Sequence, residues 1–127
     1  MQTESEIKLA RYSTVEKEAD KFGRVIGVRR LRPSEQTKLS GLTADLTGYD
    51  DMLSPSGDKV SIPHRMPLMI AAAVCMIDDA RIPFPRTRGE LDAIYDRLDA
   101  EGINAASVAL VRLTANDITD PLGEAKN

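Results

Sequence analysis

Arg24-Val25-Ile26-Gly27-Val28-Arg29-Arg30-Leu31-Arg32-Pro33-Ser34-Glu35-Gln36 sets how this chain begins to fold. Val25, Ile26 and Val28 are β-branched and favour an extended, half-buried backbone. Pro33 disfavours the α region for Arg32 and suits a first helical turn, where its missing N–H costs nothing. Glu35 then places a carboxylate near the positive end of the helix dipole. The stretch therefore reads as a strand running directly into a helix.

Working backwards, Tyr12 to Ala19 and Arg24 to Leu31 flank Asp20-Lys21-Phe22-Gly23, where Gly23 can supply a positive φ; this predicts a β-hairpin. Its first strand is polar on both faces through Glu16, Lys17 and Glu18. Working forwards, Pro33 to about Leu46 is expected to be helical, with Leu39, Leu42 and Leu46 as its apolar stripe and Gly48 as its stop. Tyr49 to Pro63, with Pro55-Ser56-Gly57-Asp58, reads as a turn-rich loop, long enough to imply a function or disorder. Pro67 to Ala80 is apolar nearly all round and reads as a central helix. After the rigid Ile82-Pro83-Phe84-Pro85 connector, Thr87 and Glu90 match a capping box, and Leu91, Ile94, Tyr95 and Leu98 mark an amphipathic helix. Gly102 is expected to break it, and Asn104 to cap a last helix bearing Ile103, Ala106, Leu110 and Leu113. The expected fold class is α+β, mainly α: an N-terminal β-hairpin followed by about four helices. One domain spans 1–127, with its core at about 12–115 and flexible tails at 1–11 and 115–127.

Composition narrows the function classes. A chain of 127 residues can bury a real core. Its net charge of −3 argues against a general nucleic-acid binder, and five aromatic residues without Trp give little for stacking on single strands. The lone Cys75 excludes an internal disulfide and fits a reducing cytoplasm. The polar start from Met1 to Lys8 predicts no signal peptide. The longest nearly apolar run, Met66 to Ile77, is 12 residues against the roughly 20 that a membrane span needs.

The residues offer little for catalysis. Cys75, placed in an apolar helix, reads as a small core hydrophobe with a suppressed thiolate. His64, the only histidine, reads as an exposed loop residue or a cap. One His and one Cys cannot make a structural zinc site. Asp78 and Asp79, adjacent on a helix, would point about 100° apart and share no proton, and Asp50-Asp51 lacks calcium-loop spacing. The expectation is a non-enzyme with no metal and no cofactor.

Two candidate partner surfaces stand out. Lys21, Arg24, Arg29, Arg30, Arg32 and Lys38 against Glu35 give a local excess of +5. In a strand, Arg30 and Arg32 share a face and Arg29 takes the other. This is a solvated face, a strip for an acidic protein, or a nucleic-acid contact. Met66, Met69 and Met76 lie in or beside the expected central helix, with Met69 and Met76 one heptad apart. They are core packing or an adaptable surface for self-association or a client.

The Val28 to Leu39 junction, the Met66 to Asp79 apolar segment, and Phe84-Pro85-Arg86-Thr87 leading into Leu91-Asp92-Ala93-Ile94-Tyr95 resemble the tail assembly chaperones of long-tailed bacteriophages. The likeness spans roughly residues 14 to 115. The terminal Ala125-Lys126-Asn127 permits the codons GCA-AAA-AAC, which hold a slippery heptamer, and proteins of this family are commonly made in a short and a frameshifted longer form. The resemblance implies a protein of the host bacterial cytoplasm, absent from the mature virion. It would bind the tape-measure protein, keep it soluble and help recruit tail-tube subunits. The longer form would carry the tail-tube contact; this chain would supply the tape-measure contact and self-association. Alternatives are a virion component, such as a minor tail or head–tail connector protein, and a small DNA-binding regulator using Arg29, Arg30 and Arg32.

Overall fold

A computed structural model describes residues 3–4, 11–53 and 57–118. The expected terminal tails lie largely, and Pro55-Ser56 and Ala125-Lys126-Asn127 wholly, outside these residues. The fold is α+β, with the N-terminal hairpin in place. Strand β1 (Val15–Ala19) pairs antiparallel with β2 (Val25–Arg29). The turn is closed by Asp20 N donating to Arg24 O at 2.8 Å and Gly23 N to Asp20 O at 3.0 Å, with Gly23 at φ +89°. A residue with a Cβ is strained at that φ.

The polarity of β1 follows from its place at the sheet edge, where charge discourages pairing with foreign strands. Glu16 and Glu18 also face a cation. Arg112, from the last helix, is ion-paired to both and donates to Lys17 O at 3.1 Å. Ile26 and Val28 on β2 are fully buried.

Helix α1 (Pro33–Leu42) starts where Pro33 predicts: Arg32 is extended at φ −68°, ψ 155°. It ends earlier than Leu46. The amide and hydroxyl of buried Thr43 both donate to Leu39 O, at 3.0 and 2.8 Å, and close the last turn. Gly48 is therefore not its stop. The expected loop from Tyr49 to Pro63 is instead a second hairpin, β3 (Tyr49–Leu53) with β4 (Lys59–Pro63), forming its own two-stranded sheet.

The expected central helix is the largest correction. Helix α2 covers only Met66–Ala73, and Val74–Ile77 is strand β5, antiparallel to β2. An unbroken apolar run suits a buried helix or a buried strand equally well. Here Val74 and Ile77 reach the open side of β2, and both are buried. Asp78 and Asp79 consequently form a tight turn into β6 (Ala80–Arg81), not a helical face. Asp78 takes φ +53°, and its carboxylate accepts Val25 N at 2.9 Å while its amide donates to Val25 O at 2.7 Å.

Helix α3 (Arg88–Ile118) replaces the two separate C-terminal helices with one kinked element that runs past residue 115. Glu90 N donates to Thr87 Oγ1 at 3.1 Å, as the capping box requires, but the Glu90 carboxylate reaches Arg86 N at 3.3 Å. The break is at Asp99 (φ 56°, ψ −176°), not at Gly102, and Asn104 lies inside the helix. Arg88 ties the start of α3 to the end of α1, donating to Leu42 O at 3.1 Å and pairing with Asp45 and Asp92.

The core joins Ile26 and Val28 to Leu39, Leu68, Leu91 and Leu98. Burying each large side chain fully contributes about 1.5–3 kcal/mol. Ala71, Ala72, Ala106 and Ala109 are buried too, and their small side chains let α2 and α3 approach closely.

Candidate functional site

The β2–α1 junction, α2 and the C-terminal half of α3 enclose a cleft of about 680 Å³. Its position follows from the strand-to-helix switch. Because Pro33 turns the chain into α1 immediately after β2, Arg29, Arg30 and Leu31 form one wall and Leu39 and Thr43 the adjoining one. The opposite wall is α2, through Met66, Met69 and Ile70. Leu110 and Leu113 of α3 supply the remaining apolar surface.

Arg29 is fixed at this wall. Its Nη1 and Nη2 donate to Glu35 Oε1 and Oε2 at 2.9 and 2.7 Å, a bidentate pair. Glu35 Oε1 also accepts Arg32 N at 2.9 Å. The Arg29 hydrogen bonds hold the Glu35 carboxyl below the ordinary carboxylate range, against the opposing effect of burial. The same contact raises the Arg29 pKa. Glu35 thus neutralises Arg29, and the Arg30 and Arg65 side chains also line the cleft.

The lining has a simple chemistry. Three guanidinium groups border an apolar floor, and among the described residues no carboxylate, histidine or cysteine lines it. Met66 and Met69 are 37% and 39% exposed, so both can meet an incoming group. Flexible thioethers on an apolar floor suit adaptable hydrophobic contact. The arginines add attraction for acidic groups at the rim.

Of the six predicted partner residues, the cleft unites Arg29, Arg30, Met66 and Met69. Arg32 is exposed at the start of α1 and does not line it. Met76 is on β5 opposite Gly27, not one heptad along a helix from Met69, so those two methionines share no face. The basic strip is not continuous either, because Arg24 turns inward to Asp20 and to α3. The sequence reading missed Arg65, Ile70 and the contribution of α3, although Leu110 and Leu113 already stood on its expected apolar face.

The remaining chemical candidates lie elsewhere. Cys75 is half-buried on β5, and burial raises its thiol pKa. His64 is exposed at the base of the β3–β4 hairpin, where its amide donates to Gly48 O at 3.0 Å. Among the described residues, no group of three or more His, Cys, Asp or Glu is placed to hold a metal ion. No described helix is long and apolar enough to cross a membrane. No family model, no curated protein and no solved structure matches this chain.

Proposed function

We propose that this protein is a non-catalytic assembly chaperone that holds an aggregation-prone helical client in the α1–α2–α3 cleft. The client expected from the resemblance is the tape-measure protein of a long-tailed phage, kept soluble in the host cytoplasm while tail-tube subunits are recruited, mainly through a longer form of this chain. One observation carries the reading: Arg29, Arg30, Met66 and Met69, separated in sequence, line a single open cleft that is apolar on its floor and positive at its rim. An amphipathic helix can lay its apolar stripe on such a surface and leave acidic flanks against the arginines.

Co-expression with the tape-measure protein of a long-tailed phage tests it. The client is expected to stay soluble and to co-purify. Met69→Glu, which places a carboxylate on the floor, is expected to reduce capture at least tenfold with native circular dichroism. An insoluble client with no co-purification would refute the chaperone role and favour a component of the virion.

A further inference from the structure

We infer that α3 is a two-state element hinged at Asp99, kinked in this structure and able to straighten, so that its second segment moves one wall of the cleft. The inference goes beyond the chaperone reading and does not rest on it, because it concerns the wall whatever the cleft holds.

Two independent observations mark the kink as a strained arrangement. Asp99 stands at φ 56°, ψ −176°, a region essentially reserved for glycine, and holding any other residue there costs free energy. Its carboxylate accepts Ala100 N at 2.8 Å, at the start of the second segment. Gly102 carries the other mark. In a regular helix, Cβ atoms four residues apart lie about 5–6 Å from each other. A Cβ at Gly102 would instead lie 2.9 Å from Leu98 Cβ. The two segments are folded onto each other more tightly than a helix allows, through a position that carries no side chain. The kink is therefore held by its surroundings against the preference of its own backbone.

The hinge also divides α3 by role. The first segment is anchored: Arg24 donates to the carbonyl oxygens of Arg97 and Leu98, and Arg88 ties the helix start to Leu42 O and Asp45. The α3 residues that line the cleft, Leu110, Leu113 and Thr114, all belong to the second segment. That segment is tied to β1 by Arg112, whose ion pairs with Glu16 and Glu18 are partly exposed and hence weak. Its buried face carries Ala105, Ala106 and Ala109. Short side chains interlock little, and packed helices can shear past each other. Straightening at Asp99 thus shifts the α3 wall against α1 and α2 while the first segment stays in place. A bound group that fits one width of the cleft better draws the balance toward that form.

The test is a pair of spin labels on the full chain, at Ala93→Cys in the first segment and Val111→Cys in the second, with Cys75→Ser removing the native thiol. Both label sites are exposed. A straight helix separates these positions by about 27 Å along its axis, and a kink brings them closer. Pulsed dipolar spectroscopy is expected to show a main short distance and a minor one near the straight value. Asp99→Gly relieves strain only in the kinked form and should lower the share of the longer distance by about fivefold or more. Gly102→Ala introduces a clash only in the kinked form and should raise that share by about fivefold or more. Should Gly102→Ala lose its circular dichroism, Asp99→Ala, a good helix former that adds no bulk, takes its place and should shift the share the same way. General loosening would move both variants in one direction, so the opposite signs are the diagnostic readout. A main distance already at the straight value, a longer-distance share that Gly102→Ala or its replacement fails to raise, or one that Asp99→Gly raises, would each overturn the inference. The distances are read without a client, so failure of the hinge and failure of the chaperone role are separable.

Discussion

The Nη2 of Arg24 donates to the carbonyl oxygen of Leu98 at 2.8 Å, joining residues 74 positions apart. The kink at Asp99 ends the first segment of α3, and the last carbonyls of a helical segment call for partners from outside it. Arg24 satisfies two of them, since its Nη1 also donates to Arg97 O at 2.8 Å, while its Nε holds Asp20 Oδ2 at 2.7 Å. One guanidinium thus locks the first hairpin onto the longest helix.

Replacing Arg24 by Leu removes the donors and leaves these acceptors unsatisfied. The expected loss is about 2 kcal/mol, the scale of a hydrogen bond involving a charged group. Urea unfolding would show it as a lower midpoint with an unchanged slope. Arg24→Lys should recover little, because an ammonium cannot span both carbonyls and Asp20 at once. An unchanged midpoint for Arg24→Leu would refute the lock.

Asp20 gives a pH signature. Burial by itself would raise its pKa, yet the Arg24 side chain and the amides of Arg24 and Phe22 hold it below the ordinary 3.8. A carboxyl with a lowered folded pKa contributes stability above its unfolded value and loses it as pH falls through the folded one. The wild type should exceed Asp20→Asn in stability by a constant margin from pH 7 to about 5, and the margin should shrink below about 4. A margin that stays flat down to pH 3 would contradict the pairing.

Gly102 should resist the usual helix rule. Ala is favoured over Gly in a helix interior by about 1 kcal/mol. A Cβ at Gly102, however, would lie 2.9 Å from Leu98 Cβ and 3.3 Å from Arg24 Nη2. Leu98 is fully buried and cannot move aside cheaply. Gly102→Ala is expected to destabilise by about 1–3 kcal/mol through overpacking. A rise in the thermal midpoint would show that the contact yields.

Met69 and Met76 should separate in a client pull-down. Met69 lines the cleft, whereas Met76 pairs across from Gly27 on β5. Met69→Glu is expected to reduce capture at least tenfold, and Met76→Glu to retain it wherever the sheet stays folded by circular dichroism. Equal loss from two folded variants would place the client surface outside the cleft.

What could be read from the sequence was local chemistry. Pro33 and Glu35 set the start of α1, Gly23 set the first turn, and the β-branched residues of β2 set its extended form, each through backbone sterics or a neighbour within a few residues. Two of the four cleft arginines and methionines that it singled out, Arg29 and Arg30, follow directly from that junction. The tertiary structure decided what depends on distant partners. Val74–Ile77 became a strand because β2 had an open side to fill, a fact invisible in a uniformly apolar run. The β3–β4 pairing depends on cross-strand register through a turn-rich segment. The kink at Asp99, not Gly102, is compatible with the fold because Arg24 supplies the missing donors. The cleft itself exists only where α1, α2 and α3 meet, since burial and charge complementarity are properties of neighbours in space and not of neighbours in the chain.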